Sequence, residues 1–292
     1  MSRLLYYLVI LPLAHLPLRV LYVLADLLYW TLYRTFGYRT KVVRNNLRTA
    51  FSDKTDAERR DIERKFYRHL CNVIVEAIRE FRIPIPEMVS RVRCTNPEVL
   101  NRLAERGHAV LCAGHYGNWE MAAAGLAPQT DFEMFTPYTP LSDEFINKKM
   151  EVSRGRSTMR LVPKHEAKKL DLETPSDPPK LFVLGTDQCP ARHQKPVFLT
   201  FLGVPDTPTQ FGAEHYAKKY DLPVVYMDVQ PQRRGWNLMT VHIITEQPRE
   251  TPEGWITRAH TDFLEQQIYR APEYWLWTHK RWKRNRADFS TK

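Results

Sequence analysis

From residue 108 onward, short apolar runs alternate with stretches of helical period, and this alternation constrains the fold more than any other feature. His108–Ala113 reads HAVLCA, and turn residues bound it on both sides. A continuous apolar run of that length is a strand buried on both faces, as in a parallel sheet. Further strands are expected at 132–136, 181–186, 197–202, 223–229 and 238–245, with helices at 143–153, 209–220 and 252–269 between them. Such alternation predicts an α/β fold, a mostly parallel mixed sheet flanked by helices. Upstream, residues 57–83 place Ile62, Phe66, Leu70, Val73 and Ile74 on one helical stripe, which Pro84 and Pro86 end. Residues 97–106 form a further short helix closed by Gly107, and the loop 171–180 is the clearest surface break.

The first 36 residues differ from the rest. Residues 4–33 are overwhelmingly apolar. Three readings compete: a cleaved secretory signal, a buried core helix and a membrane anchor. Arg19 and Asp26 interrupt the run, so its longest uncharged stretch, 4–18, is shorter than the roughly 20 residues of a standard span. Tyr6, Tyr7, Tyr22, Tyr29, Trp30 and Tyr33 suit the water–lipid boundary, and Pro12 and Pro17 kink a helix. Arg34, Arg39, Lys41, Arg44 and Arg48 follow directly; such a cluster stays on the cytoplasmic side and attracts anionic headgroups. The anchor reading ranks first, so residues 1–36 are expected to be a membrane-anchoring hydrophobic helix and 37–292 the catalytic domain. Whether the segment spans the bilayer or lies in its interface stays open.

The formal charge of +10 suits nucleic acid, anionic lipid or an acidic protein and does not choose among them. Cys71, Cys94, Cys112 and Cys189 form no CxxC pair and no zinc spacing, which reads as reduced thiols in a cytoplasmic compartment. No ligand cluster or nucleotide-binding glycine loop implies a metal or an organic cofactor.

The stretch that carries chemistry is Gly114-His115-Tyr116-Gly117-Asn118-Trp119-Glu120, after an apolar strand and at the start of a helix. Ligands of α/β sheets bind at such carboxyl ends. A histidine there can take a proton from a hydroxyl, and a carboxylate one turn later can hold its other ring nitrogen and stabilise the imidazolium. The chain has no GxSxG elbow, so direct action on a substrate hydroxyl is the economical chemistry. From spacing alone a structural explanation weighs slightly more: a hydrogen-bonded histidine beside a turn, and a first-turn glutamate stabilised by the helix dipole.

The pattern HxxxxE resembles the signature of the lysophospholipid acyltransferase superfamily. More narrowly, the chain resembles the late lipid A acyltransferases, the lauroyl/myristoyl-transferring family. The likeness includes Tyr38-Arg39, Asn46-Leu47 with Ala50-Phe51, Glu76, GHYGNWE, the Arg154 region, Thr186-Asp187-Gln188, Phe201–Pro205 and Pro272–Lys283. It implies a glycerolipid acyltransferase-like fold and an O-acyltransferase acting at the inner membrane. His115 is then the general base on a hydroxyl of a lipid A precursor, typically the 3-hydroxyl of an acyl chain already on the sugar, and Glu120 orients it. The acyl thioester comes on acyl carrier protein or coenzyme A. The tetrahedral oxyanion needs donors, for which the glycine-containing turn and Asn118 are candidates. Arg154, at the family's arginine position, reads as a phosphate or headgroup clamp, with Arg156 and Arg160 equally readable as a solvated helix end. Asp187 follows an apolar strand and can position an arginine or the acceptor, or simply cap a turn; Gln188 stands beside it. Cys189-Pro190-Ala191-Arg192-His193 replaces a glycine-rich family stretch, a departure that bears on the acceptor pocket.

The tail 275–286, WLWTHKRWKRNR, interleaves tryptophan with cations. The expected arrangement is packed Trp275 and Trp277 with the cations facing lipid; no recognition motif supports nucleic-acid binding. Within the enzyme class the alternative acceptor is a lysophospholipid, glycolipid or aminolipid. Outside it, the alternative is a non-catalytic lipid-binding module, which would be free to lose His115 or Glu120.

Overall fold

The structure is a computed structural model that describes residues 2–289. Nine strands follow in chain order: β1 (Val92–Cys94), β2 (Ala109–Ala113), β3 (Glu133–Tyr138), β4 (Met159–Pro163), β5 (Lys180–Gly185), β6 (Pro196–Phe201), β7 (Val204–Gln210), β8 (Val224–Arg233) and β9 (Trp236–Thr245). Seven of them form one sheet in the order β1-β9-β8-β2-β5-β3-β4. All its pairings are parallel except β8 with β9. This is the expected α/β sheet. The parallel centre is fully apolar because helices cover both faces, and every residue of β2 is buried.

Three strands were not legible. β1 is only three residues long, β4 is an edge strand whose residues after Met159 are partly exposed, and β7 carries Pro205 and Pro208. Proline is tolerated in β7 because it pairs only with β6, in a separate two-stranded ribbon. Residues 209 and 210, expected to open a helix, belong to β7, and the helix starts at Gly212.

The long upstream helix runs Asp56–Glu80, started by a capping box between Thr55 and Glu58. Pro86 does not only end it; it opens the next helix, Ile85–Arg91, at a position where a missing N–H costs nothing.

The N-terminal residues wind as consecutive helical pieces from Ser2 to Thr35, broken at Leu16–Pro17. Leu18, Leu21, Ala25 and Tyr29 fall on one stripe, are buried and pack with the Asp56–Glu80 helix into the main core. Each buried leucine there contributes about 1.5–3 kcal/mol. Val20, Val23, Leu27 and Trp30 face the other way and are 46%, 68%, 61% and 58% exposed. The segment is therefore apolar on both faces and partnered on one. Among the described residues no helix is long and apolar enough to cross a membrane.

Candidate active site

Ala113 and Gly185 end the paired stretch of β2 and β5 opposite each other. His115 and Asp187 each lie two residues further on, so register alone brings them together. His115 Nδ1 is 2.6 Å from Asp187 Oδ1, and the His115 backbone N–H donates to Asp187 Oδ2 at 3.0 Å. The Trp275 indole N–H donates to the same Oδ2 at 2.9 Å. Asp187 is thus a buried acceptor of three donors, which fixes the imidazole with its proton on Nδ1. On the other ring nitrogen, the Gln188 amide nitrogen lies 3.3 Å from His115 Nε2. The ring rests on Gly185: a Cβ there would stand 3.0 Å from His115 Cε1.

Electrostatics follow from this geometry. Burial disfavours the imidazolium, but the charge and hydrogen bond of Asp187 outweigh it, and the His115 pKa is raised. Burial likewise opposes the Asp187 carboxylate, and the His115 ring, the His115 amide and the Trp275 indole still hold it well below the usual carboxylate range. A pair displaced in opposite directions is one poised to keep a proton on the imidazole once it is taken.

Glu120 does not hold the histidine. Its carboxylate pairs with Arg154, and it acts on His115 only through its charge. The reason is geometric. His115 sits in the strand-to-helix turn, outside the Trp119–Leu126 helix, so helical spacing does not relate the two side chains. The expected histidine–carboxylate pairing exists, but its carboxylate is Asp187. Arg154 lines the same cavity as His115 and Glu120. Behind this pair, burial and then the charge of Glu120 raise the Glu80 carboxyl well above its usual range. Arg156 donates to the carbonyls of Glu80, Phe81 and Ile83 and so caps the long helix, while Arg160 pairs with Glu133.

Asn118 is not brought to the site. Its Oδ1 caps the Trp119–Leu126 helix by accepting from Met121 N–H at 3.0 Å, and its Nδ2 donates to Glu76 at 2.6 Å. The turn amides are also engaged: His115 N–H with Asp187, Tyr116 N–H with Gly114 O, and Gly117 N–H with Tyr274 O. These three amides are therefore already committed within the protein. Gly117 takes φ +60°, and a Cβ there would meet Val229 at 3.0 Å, so the turn requires glycine.

Sequence reasoning missed the tail's part in the site. Leu276 N–H donates to His115 O at 3.1 Å, and the Tyr116 hydroxyl lies on the carbonyls of Gln267 and Ala271. Asn46 in turn donates to the carbonyls of Trp277 and His279, and Arg39 to that of Thr278. Trp275 and Trp277 are packed as expected, but Arg281 does not face outward. It is 1% exposed and donates to Pro208 O at 2.8 Å. All four cysteines are free and buried.

The cavity that His115 lines has a volume of about 350 Å³. Its wall is apolar at Trp119, Ala123, Met159, Leu161, Leu184 and Met227, and polar at His115, Glu120, Arg154, Lys164 and Gln188. Among the described residues no serine or cysteine lines it. The hydroxyl residues that do line it are Thr136, Tyr138 and Thr139. No curated protein sequence matches the chain. The model of one family, described as bacterial lipid A biosynthesis acyltransferase, matches residues 2–284. With nearly its whole length inside that match, the chain belongs to the bacterial lipid A biosynthesis acyltransferase family and is an O-acyltransferase.

Proposed function

We propose that the protein transfers a fatty acyl group from an acyl carrier protein thioester to a hydroxyl of a lipid A precursor, on the cytoplasmic face of the inner membrane. The observation that carries this reading is His115, which lines the cavity and is anchored through Nδ1 on buried Asp187, while Nε2 meets, among the described residues, only the Gln188 amide. The acceptor hydroxyl displaces Gln188 from Nε2. His115 removes its proton as the oxygen attacks the thioester carbonyl, and Asp187 stabilises the imidazolium. The tetrahedral intermediate then collapses, the C–S bond breaks, and His115 returns the proton to the departing sulfur. The first-turn amides of the Trp119–Leu126 helix, together with Arg154, supply positive potential for the oxyanion.

Membrane placement is supported by the exposed apolar stripe and its aromatic residues. Because the opposite stripe packs on the protein, we propose that the segment lies in the interface and does not cross the bilayer. Of the cations after it, Arg39 holds the tail and Arg44 pairs with Glu63, which leaves fewer for headgroups than composition suggests.

The test is mass spectrometry of the lipid product after incubating the protein with acylated carrier protein and a lipid A precursor. The expected result is one added acyl chain with the wild type and none with His115→Ala. Acylation confined to lysophospholipid or another lipid would refute the acceptor, and unchanged activity of His115→Ala would refute the mechanism.

A further inference from the structure

A second cavity, of about 670 Å³, lies on the far side of the catalytic turn. The turn and this cavity share a wall: Asn118 and Glu76, joined by a 2.6 Å hydrogen bond, line it, and so does His69, whose Nε2 is 3.1 Å from Gly117 O. Its other walls come from the end of the N-terminal segment, the Asp56–Glu80 helix and the β8–β9 turn.

Three guanidiniums that line it have no carboxylate within ion-pair distance among the described residues. Arg34 lies over the Trp30 ring at 5.4 Å and Arg68 over the Tyr29 ring at 5.3 Å. Arg233 lies over the Trp236 ring at 4.5 Å. A guanidinium seated on a ring keeps its in-plane N–H groups for a bidentate acceptor such as phosphate. Their neighbour Arg234 is different, being paired with Asp26 at 2.7 Å. Of the remaining acids lining the cavity, Glu76 has its oxygens bonded by the Tyr22 hydroxyl and Asn118, and Glu273 makes no ion pair among the described residues. The Asn237 side chain also lines the cavity, is 5% exposed as a residue, and makes no hydrogen bond within the described residues. Its amide is therefore free to meet a polar ligand in the cavity.

The cavity also adjoins the apolar surface. Val20, Val23, Leu27 and Trp30 recur at helical spacing on the exposed stripe, and Arg34 is the next position in that series. An interfacial segment whose stripe ends in an arginine places that cation at phosphate depth.

We infer that this cavity, formed by Arg34, Arg68, Arg233 and Asn237, binds the phosphate of a membrane-lipid headgroup at a site separate from the acyl-transfer cavity. The inference rests on the interfacial placement proposed above. It gives the Glu76–Asn118 and His69–Gly117 contacts a second meaning: an occupied headgroup site braces the turn that carries His115.

The test uses the full chain and vesicles of phosphatidylcholine with or without phosphatidic acid, with dissociation constants read by flotation at ~0.15 M salt. The Arg68→Gln/Arg233→Gln variant is expected to lose about tenfold or more in affinity for the phosphatidic acid vesicles. Its binding to neutral vesicles stays unchanged, and so does that of a charge-matched control to both kinds, Arg60→Gln/Arg93→Gln, at two exposed residues outside this cavity. Equal losses in variant and control would reduce the effect to net charge and overturn the site, as would no loss in the variant. Full competition by inorganic phosphate would overturn the lipid source. A variant that kept vesicle affinity but lost affinity for acylated carrier protein would assign the cavity to that protein instead. Wild type that binds no vesicles at all would sink the membrane placement itself, an outcome distinct from losing only the phosphatidic acid increment.

Discussion

Replacing Asp187 by asparagine removes one charge and almost nothing in shape, yet it should nearly abolish the base. Oδ2 accepts two N–H groups, from His115 and Trp275, at 3.0 and 2.9 Å, and Oδ1 faces His115 Nδ1 at 2.6 Å. An amide offers a single acceptor oxygen. It keeps that oxygen toward the two donors and turns its NH2 toward Nδ1. Nδ1 must then accept, the imidazole proton moves to Nε2, and Nε2 can no longer take a proton from the acceptor hydroxyl. Loss of a base through the wrong tautomer costs on the order of 10³–10⁴ in rate, or roughly 4–5.5 kcal/mol of transition-state stabilisation. The pH profile adds an independent reading. The neutral imidazole is the base, so activity falls as pH drops through the raised His115 pKa. In Asp187→Asn the burial that opposes the imidazolium remains while the charge that favours it is gone, so the acid limb moves to lower pH. The assay is kcat/KM against pH, from thiol release by acylated carrier protein. Glu120→Gln, which keeps the contact between residues 115 and 187, should lose far less and shift the limb only slightly in the same direction, because Glu120 also raises the His115 pKa. If Asp187→Asn lost less than about tenfold with an unmoved acid limb, or if Glu120→Gln proved the more damaging, the assignment of Asp187 as the orienting carboxylate would be wrong.

Gly185→Ala should displace the His115 ring from its 3.0 Å seat, lowering kcat about 10- to 100-fold while overpacking costs about 1–3 kcal/mol; steady-state kinetics and urea unfolding read the two effects separately. Trp275→Phe keeps the ring and removes the indole N–H, leaving buried Asp187 one donor short at about 1–3 kcal/mol, measured as a lower urea midpoint with an unchanged slope. Arg154→Met should leave Glu120 without its cation beside buried Glu80 and destabilise the fold by about 1–3 kcal/mol; a variant as stable as the wild type in urea would show that the pair contributes nothing.

Local pattern alone determined a good deal about this protein. The six apolar runs are strands, and the stripe Ile62–Phe66–Leu70 is one face of the Asp56–Glu80 helix. Period and capping are nearest-neighbour properties, so they survive in one dimension. The same holds for the position of His115 after a strand, since a sharp turn with glycine at φ +60° is written locally. What only the tertiary structure decided is which strand lies beside which. Asp187 also follows an apolar strand in the sequence, but nothing local says that β5 neighbours β2 in register. That register selected Asp187 over Glu120 as the partner of His115 and left Glu120 to Arg154. The tail was illegible for the same reason. Trp275 reaches Asp187 across 88 residues, and Arg281, which reads as a surface cation, is buried against β7. The N-terminal segment shows the limit most plainly: its sequence is apolar all round, and only packing on the Asp56–Glu80 helix separates the stripe that belongs to the core from the stripe left for another surface.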